Sequence, residues 1–215
     1  MSGERVTPNL TQIEAEARAS SIKTGLNYKI FIDFREGESY SGLIRIEFKL
    51  FNTDNVFVDY CGDAVELITL NGKEIDPASV YEIPKGRITL PKEELCVEGI
   101  NTLHIKFSNR YYTDGNGIQT YTDVDGSQYL YTQSEAYWGN RVMPLFDQPD
   151  LKAKYVLHAA TPVAWKVLSS AECEYTETWS QFVAGDYGSD YYRLIRSHFA
   201  KSVPEEHLYW QFSTT

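Results

Sequence analysis

From Asn27 onward, apolar and polar residues alternate with a period of two, the spacing of strands with one buried face. Tyr28, Ile30, Ile32 and Phe34 share a face of the first such run, and Ile44, Ile46, Phe48 and Leu50 share a face of residues 43–51. Asn71-Gly72, between residues 67–70 and Glu74-Ile75, is a hairpin signal, because both central positions of that turn need positive φ. The pattern predicts further strands at residues 87–90, 101–108, 128–133, 152–160, 165–169, 191–199 and 208–213. Ahead of them, Thr11-Gln-Ile-Glu14 has the capping-box form and a run of strong helix formers follows, which predicts a short helix over residues 11–21. The expected fold is all-β: a sandwich of two packed sheets, mostly antiparallel, with a short N-terminal helix.

Sixteen Tyr and ten Phe among 215 residues support the strand reading, since these side chains suit a half-buried pleated surface. Thirty acidic against twenty basic residues give a formal charge of -10, which disfavours nucleic acid and anionic membrane surfaces as partners. No run approaches the roughly 18 to 20 apolar residues that span a bilayer. The opening nine residues carry no signal-peptide pattern, so a cytoplasmic location is expected. Cys61, Cys96 and Cys173 are an odd, widely spaced set and are expected to be reduced and mostly structural. Residues 111–126, with Asp114-Gly-Asn-Gly and Asp123-Val-Asp-Gly, lack the ligand spacing and closing Glu of a calcium loop and predict an irregular connection with tight turns.

One segment departs from plain alternation. Tyr129-Leu-Tyr-Thr-Gln-Ser-Glu135 is followed by Arg141-Val-Met-Pro-Leu-Phe-Asp147-Gln-Pro149-Asp-Leu-Lys-Ala153. Together they resemble two motifs of the aminopeptidase N family of zinc metallopeptidases, relatives of leukotriene hydrolase: a Tyr-x-Tyr-Thr/Ser-Gln-x-Glu strand and an Arg-x-x-Pro-x-Phe-Asp-x-Pro-x-x-Lys-Ala run. Weaker similarities lie at residues 10–18, at Tyr40-Ser-Gly42, at Ile100-Asn-Thr-Leu103, and at Pro162 and Trp165. The resemblance covers residues 10–215 and implies the family's saddle-shaped N-terminal β-sandwich, with residues 1–9 as an extension. Met143 and Leu145 stand where many relatives have Phe and Cys.

In that family the Glu of the strand motif binds the free α-ammonium of a peptide. The resemblance therefore implies a substrate-binding role for Glu135, with Gln133 as auxiliary and with Ala136 following a cis peptide bond after the Glu. Arg141, Asp147 and Pro149 are expected to be structural, the first two as an ion pair that pins the loop. The family's zinc motif, His-Glu-x-x-His with a distal Glu, is absent from this sequence, as is its Gly-x-Met-Glu-Asn motif; His104, His158, His198 and His207 are expected to lie scattered over strands. The chain alone is therefore expected to be inactive, with no catalytic residue, metal ligand or cofactor of its own, and with zinc supplied by a catalytic domain beyond it.

Two functions fit. One is the substrate-contacting domain of a zinc aminopeptidase, whose partners are a peptide N-terminus and its own catalytic domain. The alternative is a stand-alone, non-catalytic descendant serving as a structural or protein-interaction subunit of a larger complex. In either case the face that covers the catalytic domain in relatives is expected to expose an apolar patch. A carbohydrate- or ligand-binding sandwich ranks behind both, since aromatic content alone supports it.

Overall fold

A computed structural model of the chain describes residues 9–213, so most of the expected extension over residues 1–9 lies outside the described residues. The capping box forms as the sequence predicts: Glu14 N donates to Thr11 Oγ1 at 3.3 Å and Thr11 N donates to the Glu14 carboxylate at 3.0 Å. These two bonds satisfy backbone donors at the start of helix α1, Gln12–Ser21.

The strands that follow are β1 (Leu26–Asp33), β2 (Ser39–Phe48), β3 (Phe57–Asp59), β4 (Ala64–Leu70) and β5 (Lys73–Ile75). A one-turn helix α2 (Pro77–Val80) leads to β6 (Tyr81–Glu82), β7 (Arg87–Thr89), β8 (Asn101–Arg110), β9 (Gly117–Thr122), β10 (Gln128–Gln133), β11 (Ala153–Thr161) and β12 (Cys173–Thr178). Helices α3 (Trp179–Ala184) and α4 (Asp190–Phe199) precede β13 (Leu208–Ser213). Asn71 and Gly72, at φ 54° and 85°, make the expected β4–β5 turn.

Eight strands form one sheet in the order β12-β13-β11-β1-β2-β8-β4-β5, antiparallel throughout except for β1 against β11. A three-stranded sheet, β3-β7-β6, lies against it, and β9 with β10 makes a separate ribbon. On the face towards the small sheet, Ile30 and Ile32 of β1, Ile44 and Ile46 of β2, and Ile105 and Phe107 of β8 pack with Val58 and Ile88. Gly42 belongs to that face for a steric reason: a Cβ there would stand 2.6 Å from the Phe107 ring and 2.8 Å from Phe31 O. On the opposite face, Phe31, Leu43, Ala160 and Tyr209 pack under Trp179, Phe182, Tyr191, Ile195 and Phe199 of α3 and α4. Strand β1 is consequently buried on both sides along most of its length. The domain is all-β and sandwich-like, and the two C-terminal helices close its second face.

Those helices correct the expected strand at residues 191–199. Tyr191, Ile195 and Phe199 recur every fourth residue and meet the sheet as one helical stripe, and Ser189 caps the helix by accepting from Tyr191 N at 3.3 Å. Residues 165–169 form no strand: Trp165 N donates to Pro162 O at 3.0 Å, closing a tight turn, and Leu168 is exposed. Residues 111–126 are more regular than expected, because β9 lies within them. Cys61 is buried, whereas Cys96 and Cys173 are exposed, so a structural role fits Cys61 alone. Among the described residues, no helix is long and apolar enough to cross a membrane.

Candidate functional site

The resemblance-derived residues gather at the end of the ribbon. Tyr129 pairs opposite Tyr121, Tyr131 opposite Gln119 and Gln133 opposite Gly117. Strand alternation puts Tyr129, Tyr131 and Gln133 on one face. The rings of Tyr121, Tyr129 and Tyr131 are 57%, 53% and 57% exposed. Gln128 anchors the ribbon to the β1–β2 connection, donating from Nε2 to Gly37 O at 2.8 Å and accepting from Gly37 N at 3.0 Å.

Strand β10 stops at Gln133, and Trp138 N donates to Ser134 O at 2.9 Å, which folds residues 134–138 into a turn. Glu135 therefore stands on the turn, two residues past the end of β10, and not on the strand that the motif resemblance implied. Gln133, Glu135 and Ala136 are all exposed, and the Glu135–Ala136 peptide bond is cis, as the resemblance implied. No group among the described residues bonds to the Glu135 carboxylate.

What holds this turn is a buried polar cluster. Tyr137 Oη donates to Asp59 Oδ1 at 2.8 Å, while Asp59 Oδ2 accepts from Arg18 Nη1 at 2.6 Å and from Asp147 N at 3.0 Å. The backbones of Asp59 and Leu145 bond to each other in both directions, at 2.7 and 3.1 Å. Arg18 and Asp59 are 0% and 1% exposed. Arg18 Nε also donates to Gln148 Oε1 at 3.0 Å, and its guanidinium and that of Arg87 each lie 4.5 Å from the Phe57 ring centre. A charge pair this deep is costly to bury and stands only with its hydrogen bonds in place. The cluster shifts its own members: burial, then the Asp59 charge, pushes the Tyr137 phenol well above its ordinary range. Burial chiefly raises the Asp147 carboxyl, with Asp59 adding in the same direction against the Asn140 bonds.

The expected Arg141–Asp147 ion pair does not form. Arg141 Nη1 pairs with Asp114 at 2.6 Å, and its guanidinium lies 4.3 Å from the Trp138 ring centre and 4.9 Å from that of Tyr112. Asp147 instead accepts from Asn140 N and Nδ2, both at 2.9 Å. An asparagine one residue before Arg141 thus takes the partner expected for the arginine. Pro149 is exposed and occupies the second position of a turn closed by Leu151 N to Gln148 O at 3.0 Å, where its fixed φ is suited.

Sequence reasoning missed Asp59, Arg18, Tyr137 and Asn140. The available signal was slight: Asp59 is a lone charge inside the apolar run Val56-Phe-Val-Asp-Tyr-Cys61, a placement that calls for a buried partner. The histidines do not converge. His104 and His158 lie on β8 and β11, but His198 is on α4 and His207 in the turn before β13, which corrects their expected placement on strands. Among the described residues, no group of three or more His, Cys, Asp or Glu is placed to hold a metal ion.

Comparison with known proteins places this geometry in a family. The chain is 33% identical to an aminopeptidase N of Streptomyces lividans over 168 residues, 76% of this chain and 19% of the relative. It is 28% identical to a probable aminopeptidase 1 of Sulfurisphaera tokodaii over 146 residues, 66% of this chain and 17% of the relative. It thus spans about a fifth of the length of these curated relatives. In fold it is similar to an M1 zinc metallopeptidase from Deinococcus radiodurans, with TM-score 0.60 and 14% identity over 95% of this chain and 42% of that one. Yeast LTA4 hydrolase gives TM-score 0.61 and 18% identity over 81% and 28% of the two chains. The model of the Peptidase M1 N-terminal domain matches residues 24–185, and the chain belongs to that family.

Proposed function

We propose that this chain is the substrate-contacting domain of a zinc aminopeptidase, in which the Glu135 carboxylate receives the α-ammonium group of a peptide and Gln133 assists from the end of β10. The observation that carries this reading is the state of Glu135: an exposed carboxylate, unpaired among the described residues, on a turn that a buried cluster ties down. A free ammonium satisfies such a group with a charge-assisted bond; an acylated amine supplies a weaker neutral donor and no charge.

The size of that bond limits what the chain does by itself. A hydrogen bond to a charged group contributes about 1.5–3 kcal/mol, which corresponds to a Kd of about 10–100 mM. Peptide retention and hydrolysis therefore call for a second domain with further anchors and the metal. The residues described here do not fit a zinc site, because their histidines and carboxylates do not converge, so no chemical step is assigned to zinc in this chain. We propose that the chain alone cuts no amide bond. Free thiols at the exposed Cys96 and Cys173 suit a reducing, cytoplasmic setting.

A structural or interaction role is the second reading, favoured by the exposed rings of Tyr121, Tyr129 and Tyr131 beside the turn. Titration followed by NMR separates the two. The substrate reading expects L-leucinamide to bind in the tens of millimolar, N-acetyl-leucinamide to bind more weakly, and Glu135→Gln to erase the difference. Equal response to both compounds in the unaltered chain would favour the interaction reading.

A further inference from the structure

We propose that Tyr137 and Asp59 are positioning residues for the amine-binding carboxylate, a reading that rests on the assignment of Glu135 above. Glu135 is itself exposed, so its aim depends on how the turn beneath it is held. Tyr137 is two residues on, separated by the short Ala136, and the phenol reaches Asp59 Oδ1 at 2.8 Å. Asp59 gives that phenol a fixed point. Its other oxygen is held by Arg18 at 2.6 Å and by Asp147 N at 3.0 Å, and its backbone is bridged to Leu145 in both directions. A single buried residue thus ties the loop at both ends, its carboxylate at Tyr137 near the site and at Asp147 beyond it, and its backbone at Leu145. Through Arg18, Gln148 and Ala15 O the tie continues into α1.

The physical content is preorganisation. A carboxylate already aimed at the ammonium spends none of its small binding energy on ordering the turn. Removing the Tyr137 hydroxyl leaves Asp59 Oδ1 without its donor and frees the turn to sample other directions, while Glu135 keeps its charge.

NMR titration of the whole chain tests this. Tyr137→Phe is expected to raise the Kd for L-leucinamide about threefold to tenfold, leave that for N-acetyl-leucinamide unchanged, and broaden the Glu135 and Ala136 amide signals. A merely structural role would lower the melting temperature without changing the preference for the free amine. Combining Tyr137→Phe with Glu135→Gln is expected to add nothing to Glu135→Gln alone, since one acts through the other. If Tyr137→Phe does not fold, Asp59→Glu is read in the same way, since it keeps the charge facing Arg18 and shifts the acceptor by one methylene. If Glu135→Gln retains the free-amine preference, the assignment of Glu135 fails. If Glu135→Gln loses that preference while Tyr137→Phe matches the unaltered chain with sharp Glu135 signals, the positioning role alone is overturned.

Discussion

The two faces of the eight-stranded sheet are built by different means. The core towards the small sheet is largely aliphatic, and the buried Arg18–Asp59 pair holds the Glu135 turn. The face under α3 and α4 is aromatic: Phe182 stacks on Tyr209 with centroids 4.0 Å apart, and His158 lies among Tyr191, Tyr192 and Tyr209. The first face is tied to the candidate site through Asp59, whereas the second seats the two C-terminal helices and buries His158.

Truncation on the aromatic face is the strongest way to break this division. Phe182 is fully buried, so Phe182→Ala should cost about 3–5 kcal/mol in urea unfolding, by lost transfer energy and a cavity between helix and sheet. The molecules that stay folded should still prefer leucinamide to its acetylated form. Loss of that preference in parallel with stability would show that the two faces are coupled.

A change of pH sharpens the contrast with a smaller effect. Burial pulls His158 down to about 3, and burial with the nearby Arg45 charge pulls His104 down to about 4; both lie on the second face. Both are neutral in the folded chain, and the unfolded chain takes up their protons below its ordinary histidine pKa of about 6.5. Their contribution is thus complete above that value and is lost as pH falls towards about 4 for His104 and about 3 for His158. Unfolding free energy should drop by at most roughly 1.4 kcal/mol per pH unit for each group, and His158→Gln should remove its share of the slope between pH 6.5 and 5. An unchanged slope in that variant would place the titration elsewhere.

The contrast also explains what could be read from the residues. Period-two alternation exposed the aliphatic face directly, and the Thr11–Glu14 box and the Asn71-Gly72 turn formed as their chemistry requires. The aromatic face was misread at α4, because tyrosine, isoleucine and phenylalanine favour strands and the four-residue spacing of Tyr191, Ile195 and Phe199 was overridden by that preference. At the site, Gln133, Glu135 and Ala136 stood out by resemblance. Their support did not: Asp59 meets Tyr137 across 78 positions and Arg18 across 41, distances at which no local spacing carries a signal. Arg141 and Asp147 looked complementary, yet Asn140 and Asp114 took their places.

The most direct test of the central claim, that Glu135 is the point of contact for an amino terminus, is a residue-by-residue NMR map of the whole chain with and without L-leucinamide. The account predicts shifts centred on Gln133, Glu135, Ala136 and Tyr137 that are clearly smaller with the acetylated compound at the same concentration. Shifts centred instead on the groove between α1 and β7, lined by Ile13, Phe57 and Arg87, with the Glu135 turn unmoved, would contradict it.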